Sequence, residues 1–355
     1  SPNYMSKMNT QINFPLFFFV INSEKNNKIS VLAADIGGTK TNVGWFESEN
    51  GMMVLKEEAT YSSKTHQSFS HIIQKFIREY NLEKPDRISI GVAGPVLNGK
   101  CITTNLPWSL DIGQIKNETL VDKVYLINDL ESTAYGLAEV NEGYLATIHE
   151  GNPAIGGNVA ILAPGTGLGE AGLFWDGQYL RPFATEGGHS EFSPRTNLEV
   201  EFYQYLKQIY GIVSWETVIS GPGLFNIYRF LRDIKKHEEP AWLTQQFENE
   251  DPSAVISHTA MRELNMTCVM AMEMFVEFIA REATSLVLKL KATGGLLLGG
   301  GIPPKIYNFL NKSKFYQNFI VSDKMEHLLK EIPIHLILNS KTALLGAAYY
   351  GAFSE

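Results

Sequence analysis

Three sets of residues have types and spacings that could do chemistry. Two are glycine loops at the ends of short apolar runs: Asp35-Ile36-Gly37-Gly38-Thr39-Lys40 after Val31-Leu32-Ala33-Ala34, and Pro164-Gly165-Thr166-Gly167-Leu168-Gly169 after Val159-Ala160-Ile161-Leu162-Ala163. Glycine lacks a Cβ, so successive backbone N–H groups can converge on an anion, and a threonine hydroxyl adds a donor beside them. A single Gly-Gly loop is also an ordinary hairpin turn. Two such loops, each closing a buried-looking strand, point to two halves that grip one polyphosphate. The third set is polar: Asn105, Asn128-Asp129 and Glu186-Gly187-Gly188-His189. Amides and carboxylates on several sides suit a polyhydroxylated molecule, whose hydroxyls both donate and accept. Leaving one buried polar group unmatched costs about 1–3 kcal/mol, which gives such a site its discrimination.

Phosphoryl transfer asks a protein for positioning and charge stabilisation more than for covalent chemistry. Asp35, at a strand end beside the first loop, suits the orientation of a hydrated magnesium ion; its alternative is a turn aspartate bonded to the backbone. Asp129, at the end of another strand, suits a base beside an acceptor hydroxyl. Its alternative is a helix N-cap, because Glu131-Ser132-Thr133-Ala134 could begin a helix. No cysteine cluster follows His189, which argues against zinc. Neither loop ends in Gly-Lys-Ser/Thr, so a Walker loop is excluded, and Gly165-x-Gly167-x-Gly169 lacks dinucleotide spacing.

The motifs together resemble those of bacterial glucokinases of the non-zinc type, in the superfamily of actin and the heat-shock chaperone ATPases. The resemblance is carried by the first loop through Lys40 and Asn42, by Thr104-Asn105-Leu106-Pro107-Trp108, and by Ile127-Asn128-Asp129. It continues through the second loop, Glu186-Gly187-Gly188-His189, Ser220-Gly221-Pro222-Gly223-Leu224 and Gly299-Gly300-Gly301-Ile302, in family order over about residues 31–352. It implies an ATP:glucose 6-phosphotransferase with Asp129 as the base that takes the proton from the sugar 6-hydroxyl. Asn105, Asn128, Asp129, Glu186, His189 and Glu216 are the implied glucose set. Glu216 enters only through its place just before the Ser220-Gly221-Pro222-Gly223 motif. Gly37, Gly38, Thr39, Lys40, Gly165, Thr166 and Gly167 resemble the phosphate loops, and Gly300 and Gly301 the adenosine-side wall. The resemblance further implies ATP and Mg2+, the metal held by Asp35 through water, and a homodimer; the sparse use of cysteine, two in the chain, fits a cytoplasmic location. One departure is that Ser190-Glu191-Phe192-Ser193-Pro194 follows His189, where the related sugar-kinase and repressor family carries a cysteine-rich zinc motif.

These residues need elements to hold them. The chain has 355 residues, more than one core usually serves, which predicts two domains. Hydrophobic content of 44% and charged content of 19% fit a globular protein, while a net charge of -8 without a dense basic cluster argues against nucleic acid and anionic membranes. Cys101 and Cys268 read as small core residues. Residues 1–30, with an apolar run at 14–21 too short to span a bilayer, read as an N-terminal extension. Strands are expected at 31–34, 41–46, 87–92, 123–127, 159–163, 296–298 and 334–338, with a hairpin at Asp176-Gly177. Helices are expected at 69–80, 198–210, about 259–291 and 342–352, and residues 238–252 read as a polar surface excursion. The fold class is therefore α/β. The resemblance refines it to a two-domain actin-like ATPase (ribonuclease H-like) fold: a small α/β domain over 31–138 plus 339–355, a larger α+β domain over 139–338, and a cleft between them.

Two other readings compete. The same fold could phosphorylate mannose, fructose or an amino sugar. It could also be a non-catalytic sugar-responsive regulator; a repressor would need a helix-turn-helix before the first loop, and residues 1–30 are too short and apolar for one.

Overall fold

Alternation along the first strand explains the architecture of the N-terminal half. In β1 (Ser30–Ile36) successive side chains point to opposite faces. Leu32, Ala34 and Ile36 enter one core cluster, and Val31 and Ala33 enter another. The structure is a computed structural model that describes residues 28–49, 52–102, 106–137, 145–178, 180–312, 314–339 and 341–354. The apolar run at 14–21 and Asn105 lie outside the described residues. The chain divides into two compact units, one comprising residues up to 144 with Leu173–Ala184 and Asn339–Glu355, the other Leu145–Gly172 and Thr185–Leu338.

In the first unit β1 is joined by β2 (Lys40–Glu49), β3 (Met52–Ser62), β4 (Arg87–Val92) and β8 (Lys123–Asn128), in the sheet order β3-β2-β1-β4-β8. The pairs β1–β4 and β4–β8 are parallel, so Ile36, Val92 and Asn128 end their strands at one carboxyl edge. A small three-stranded sheet forms from β5 (Val96–Leu97), β6 (Lys100–Cys101) and β7 (Leu110–Asp111). One face of the large sheet is covered by α1 (Phe69–Glu79), whose stripe Phe69, Ile72, Ile73 and Phe76 is buried, and by α2 (Ile112–Thr119). Ser68 caps α1 by accepting from the His71 N–H, and Asp111 caps α2. Helix α3 (Asp129–Leu137) starts directly where β8 ends.

A six-stranded sheet lies mostly in the second unit. Its strands are β9 (Leu145–His149), β10 (Val159–Pro164), β11 (Leu168–Trp175), β12 (Leu180–Thr185), β13 (Gly295–Leu298) and β14 (Ile334–Ile337), in the order β12-β11-β10-β13-β14-β9. The end of β11 and nearly all of β12 fall in the first unit. Strand β10 is buried along its whole length and runs parallel to β13, which runs parallel to β14. Between β12 and β13 come α4 (Asn197–Tyr210), α5 (Trp215–Val218), α6 (Gly221–Asp233), α7 (Ala241–Asn249), α8 (Pro252–Met261) and α9 (Met266–Leu290). Two expectations are corrected here. The stretch 238–252 contains α7, because Leu243 is fully buried and supplies an anchor that its polar neighbours conceal. The single helix expected over 259–291 is two: α8 ends at Met261, just before Glu263 turns the chain with φ +54°, and Asn265 caps the next helix by accepting from the Cys268 N–H.

Three short helices, α10 (Tyr307–Lys312), α11 (Phe315–Phe319) and α12 (Glu326–Leu329), precede β14. The last helix, α13 (Thr342–Phe353), belongs to the first unit. Its Leu344, Ala347, Ala348, Tyr349 and Ala352 cover Val31, Ala33, Phe46 and Met53 on the second face of that sheet. Among the described residues no helix is long and apolar enough to cross a membrane.

Candidate active site

The first glycine loop is the turn between β1 and β2. Gly37 N–H donates to Lys40 O at 2.9 Å, Ser63 Oγ donates to Gly37 O at 2.9 Å, and Ser63 N–H donates to Thr39 O at 3.0 Å. Ser63 O in turn accepts from Trp108 Nε1 at 3.1 Å, so the segment beyond Asn105 is tied to this loop. Thr39 and Lys40 remain exposed. Asp35 stands across from Asn42 on β2, which stands across from Thr60 on β3. Thr60 Oγ1 donates to Asn42 Oδ1 at 2.8 Å, which turns the Asn42 amide nitrogen toward Asp35 Oδ2 at 3.3 Å. Burial raises the Asp35 carboxyl above its ordinary value, and that amide offsets the rise in part. No cationic side chain pairs with Asp35 among the described residues.

At the same carboxyl edge, Asn128 is buried and its amide is engaged on both sides. Nδ2 donates to Gly94 O at 3.2 Å and Oδ1 accepts from the Leu130 N–H at 2.9 Å. Asp129 is the first residue of α3, half-buried, with Oδ1 accepting from Leu130 N–H at 3.0 Å. Asp129 thus follows a strand end and is the first residue of a helix, while the N-cap position weighed for it from sequence belongs to Asn128, whose Oδ1 accepts from the Leu130 N–H. Sequence reasoning missed Glu131. Its Oε2 accepts from the Asn128 N–H at 3.3 Å, and burial raises its carboxyl. An acid two residues past the start of a helix is the signal that pointed to it.

In the second unit, the loop between β10 and β11 is closed by Gly165 N–H donating to Gly167 O at 2.8 Å. Gly165 O accepts from Gly221 N–H at 2.8 Å, which joins the loop to the start of α6, capped there by Ser220. Glu216 on α5 accepts from Leu168 N–H at 2.9 Å through Oε2, so this carboxylate is part of the loop's frame. Gly300 and Gly301 lie against the same loop. Ile302 N–H donates to Pro164 O at 3.2 Å, and Gly301 N lies 3.6 Å from where a Gly165 Cβ would be. Gly300 has φ +79°, and a Cβ there would overlap Pro164 O, so the turn requires glycine. Thr166 is exposed.

Glu186 and His189 are both exposed, on a tight turn closed by His189 N–H donating to Glu186 O at 3.0 Å. The unit therefore assembles Gly165, Thr166, Gly167, Glu216, Gly300 and Gly301 around one loop at the carboxyl ends of β10 and β13. The Glu186–His189 turn joins β11 from the other side: Thr185 Oγ1 donates to Glu170 O at 3.0 Å and accepts from Gly187 N–H at 3.1 Å. Among the described residues no group of three or more His, Cys, Asp or Glu could hold a metal by itself.

The sequence model of the glucokinase family matches residues 32–353. A glucokinase from Nostoc sp. is 36% identical over 337 residues, covering 91% of this chain and 98% of the relative. The structure is similar to a glucokinase from an Antarctic psychrotroph, with TM-score 0.77 and 27% identity over 92% of this chain and 99% of that one. It also shares the fold of a Balamuthia mandrillaris glucokinase in complex with glucose, with TM-score 0.74, 20% identity, and coverage of 93% and 95%. The architecture is the actin-like ATPase fold of sugar kinases.

Proposed function

Since the chain belongs to the glucokinase family and is an ATP-dependent hexose kinase, we propose a division of labour by which its residues carry the γ-phosphoryl group of ATP to the 6-hydroxyl of glucose. One observation supports this reading most. In each unit the loop residues sit at the carboxyl ends of parallel strands, where open α/β sheets bind their ligands. The loops at Gly37-Gly38-Thr39 and Gly165-Thr166-Gly167 offer backbone donors to the phosphates, with Lys40 beside the first. Gly300 and Gly301 border the adenosine.

Asp129 takes the proton from the 6-hydroxyl as that oxygen attacks phosphorus, and Asn128 fixes the turn that aims it. Glu186, His189, Glu216 and Asn105 bind the remaining hydroxyls. Glu216 also holds the Gly167–Leu168 backbone, so it links the sugar to the phosphate loop.

Asp35 fits a divalent cation: it is a desolvated carboxylate with no cationic partner among the described residues, aimed by Asn42. Magnesium keeps several waters and takes only one or two carboxylates beside substrate phosphates, which matches a lone Asp35 better than a cage of ligands. When bound, it neutralises charge on the β- and γ-phosphates. Asp35 would hold it through water.

The test is a coupled assay of sugar phosphate formation over glucose, mannose, fructose and glucosamine, with ATP and with no nucleotide. Glucose is expected to give the highest kcat/KM, with activity dependent on ATP and magnesium. A higher kcat/KM for another hexose would overturn the glucose assignment.

A further inference from the structure

We propose that Glu170 and Glu282 share a proton and so form a strut that holds the Glu186–His189 turn in its sugar-binding shape. Both are then positioning residues for the acceptor side of the reaction. The inference rests on the reading that this turn binds glucose, and its test separates the two.

Glu170 lies on β11 directly after the phosphate loop, and Glu282 lies on α9. They are 3% and 1% exposed, and their carboxyl groups are hydrogen-bonded to each other. Two carboxylates are both acceptors, so that bond exists only if one of them carries a proton. Glu170 Oε1 and Glu282 Oε2 have no hydrogen-bond partner among the described residues. A doubly ionised pair would leave two adjacent buried charges poorly compensated. Lys289, further along α9, acts on both and suits a pair with a single net charge. The other surrounding elements add little cation: β10 has no charged residue, Arg181 on β12 is paired with Asp176, and Arg281 on α9 is paired with Glu199. The turn itself brings Glu186 and His189.

The pair reaches the turn at Gly187. A Cβ on Gly187 would overlap Glu170 Oε2, so the carboxyl fills the space under that residue. Thr185 Oγ1 completes the link by bridging Glu170 O and Gly187 N–H. Any displacement of the Glu170 carboxyl is therefore passed to the backbone between Glu186 and His189. Burial first, and then the neighbouring Glu170 carboxylate, push Glu282 from 4.5 up to about 9. The folded state thus holds a proton that the unfolded chain loses near pH 4.5. The stabilisation is full below that pH and declines as pH rises toward about 9. Above it, repulsion between the two carboxylates drives Glu170 against Gly187 and distorts the turn.

The test measures kcat and both KM values from pH 7 to 10 in the wild type and in Glu282→Gln, whose amide donates the hydrogen bond permanently. In the wild type the glucose KM is expected to rise roughly tenfold through the alkaline transition, the worth of a hydrogen bond or two, with the ATP KM nearly flat. In Glu282→Gln the glucose KM is expected to show no such rise. Glu170→Gln is the mirror variant if Glu282→Gln does not fold. A wild-type rise that persists in both glutamine variants, or one confined to the ATP KM, overturns the proposal. Glu186→Gln at pH 7 tests the sugar-turn reading by itself. If its glucose KM equals that of the wild type, that reading fails. Thermal melting from pH 5 to 10 then still decides on the shared proton: a wild-type decline that Glu282→Gln lacks supports it, and parallel curves exclude it.

Discussion

In the proposed mechanism Asp129 and Asn128 are neighbours with separate tasks, and substitutions should pull those tasks apart. Asp129→Asn keeps an oxygen for the Leu130 N–H but cannot accept the hydroxyl proton. Loss of a general base costs roughly 10²–10⁴-fold, so kcat should fall by that order while the glucose KM moves only a few-fold. Near-normal turnover would remove Asp129 from the role. Asn128→Ala instead frees Gly94 O and leaves the Leu130 N–H with Asp129 Oδ1 alone, and should lower thermal stability by about 1–2 kcal/mol along with kcat. His335 tests a different residue property. It is buried on β14, its Nδ1 is 3.1 Å from Thr147 Oγ1, and burial pushes it from 6.5 down to about 4. The unfolded chain binds a proton that the folded chain refuses, so stability is full above pH 6.5 and is lost as pH falls toward 4, by on the order of 3 kcal/mol. Urea denaturation at pH 4.5 and 7.5 should show that slope in the wild type and not in His335→Gln.

At the scale of elements, a buried ion pair fixes the chain that follows the Glu186–His189 turn. Arg281 on α9 donates to Glu199 Oε2 at 2.6 Å and to Ser193 O at 2.6 Å, and the same Glu199 oxygen accepts from the Arg195 N–H. With exposures of 3% and 5%, removing one partner leaves a charge stranded. Glu199→Leu should therefore cost about 3–5 kcal/mol, while Arg281→Met in the same chain restores most of it. A double variant as unstable as the single one would contradict this account in chemical denaturation. Nothing in the linear spacing of Glu199 and Arg281 joins them, because they meet only through the packing of α4 on the helices around α9. The strands were legible from sequence where both faces are buried and the residues are apolar throughout, as in β10. The helix stripes were legible where one face is apolar, as in α1. Strand β3 was not, because its exposed edge carries Lys56, Glu57 and Glu58 in a polar run. Nor was α6 legible, since its first turn is Gly221-Pro222-Gly223, composition that reads as a loop until Ser220 caps it. The glycine loops and polar pairs stood out because each is short and local. The Glu170–Glu282 contact did not, because a lone glutamate after Gly169 and another within an apolar helix carry no mark of each other.

For the molecule as a whole, the separation of α13 from the rest of its unit in sequence makes the chain sensitive at its far end. Met53 N–H donates to Tyr349 Oη across 296 residues, and Arg87 donates to Gly351 O at 2.9 Å and Ala352 O at 2.7 Å. Deleting residues 342–354 should strip hydrogen-exchange protection from β1 and β4, while β10 and β13 keep most of theirs. Uniform loss in both sheets would show instead that the units fold as one. The same arrangement also has a consequence in time. A ribosome adding about 5–20 residues per second needs roughly 15–60 s between residue 53 and residue 349. For that interval the sheet begun by β1 has one uncovered apolar face, with Val31, Ala33, Phe46 and Met53 open to whatever binds nascent chains. The unit that leaves the ribosome first is therefore completed last, and its yield in a cell should depend on chaperone supply more than on the stability of the finished protein.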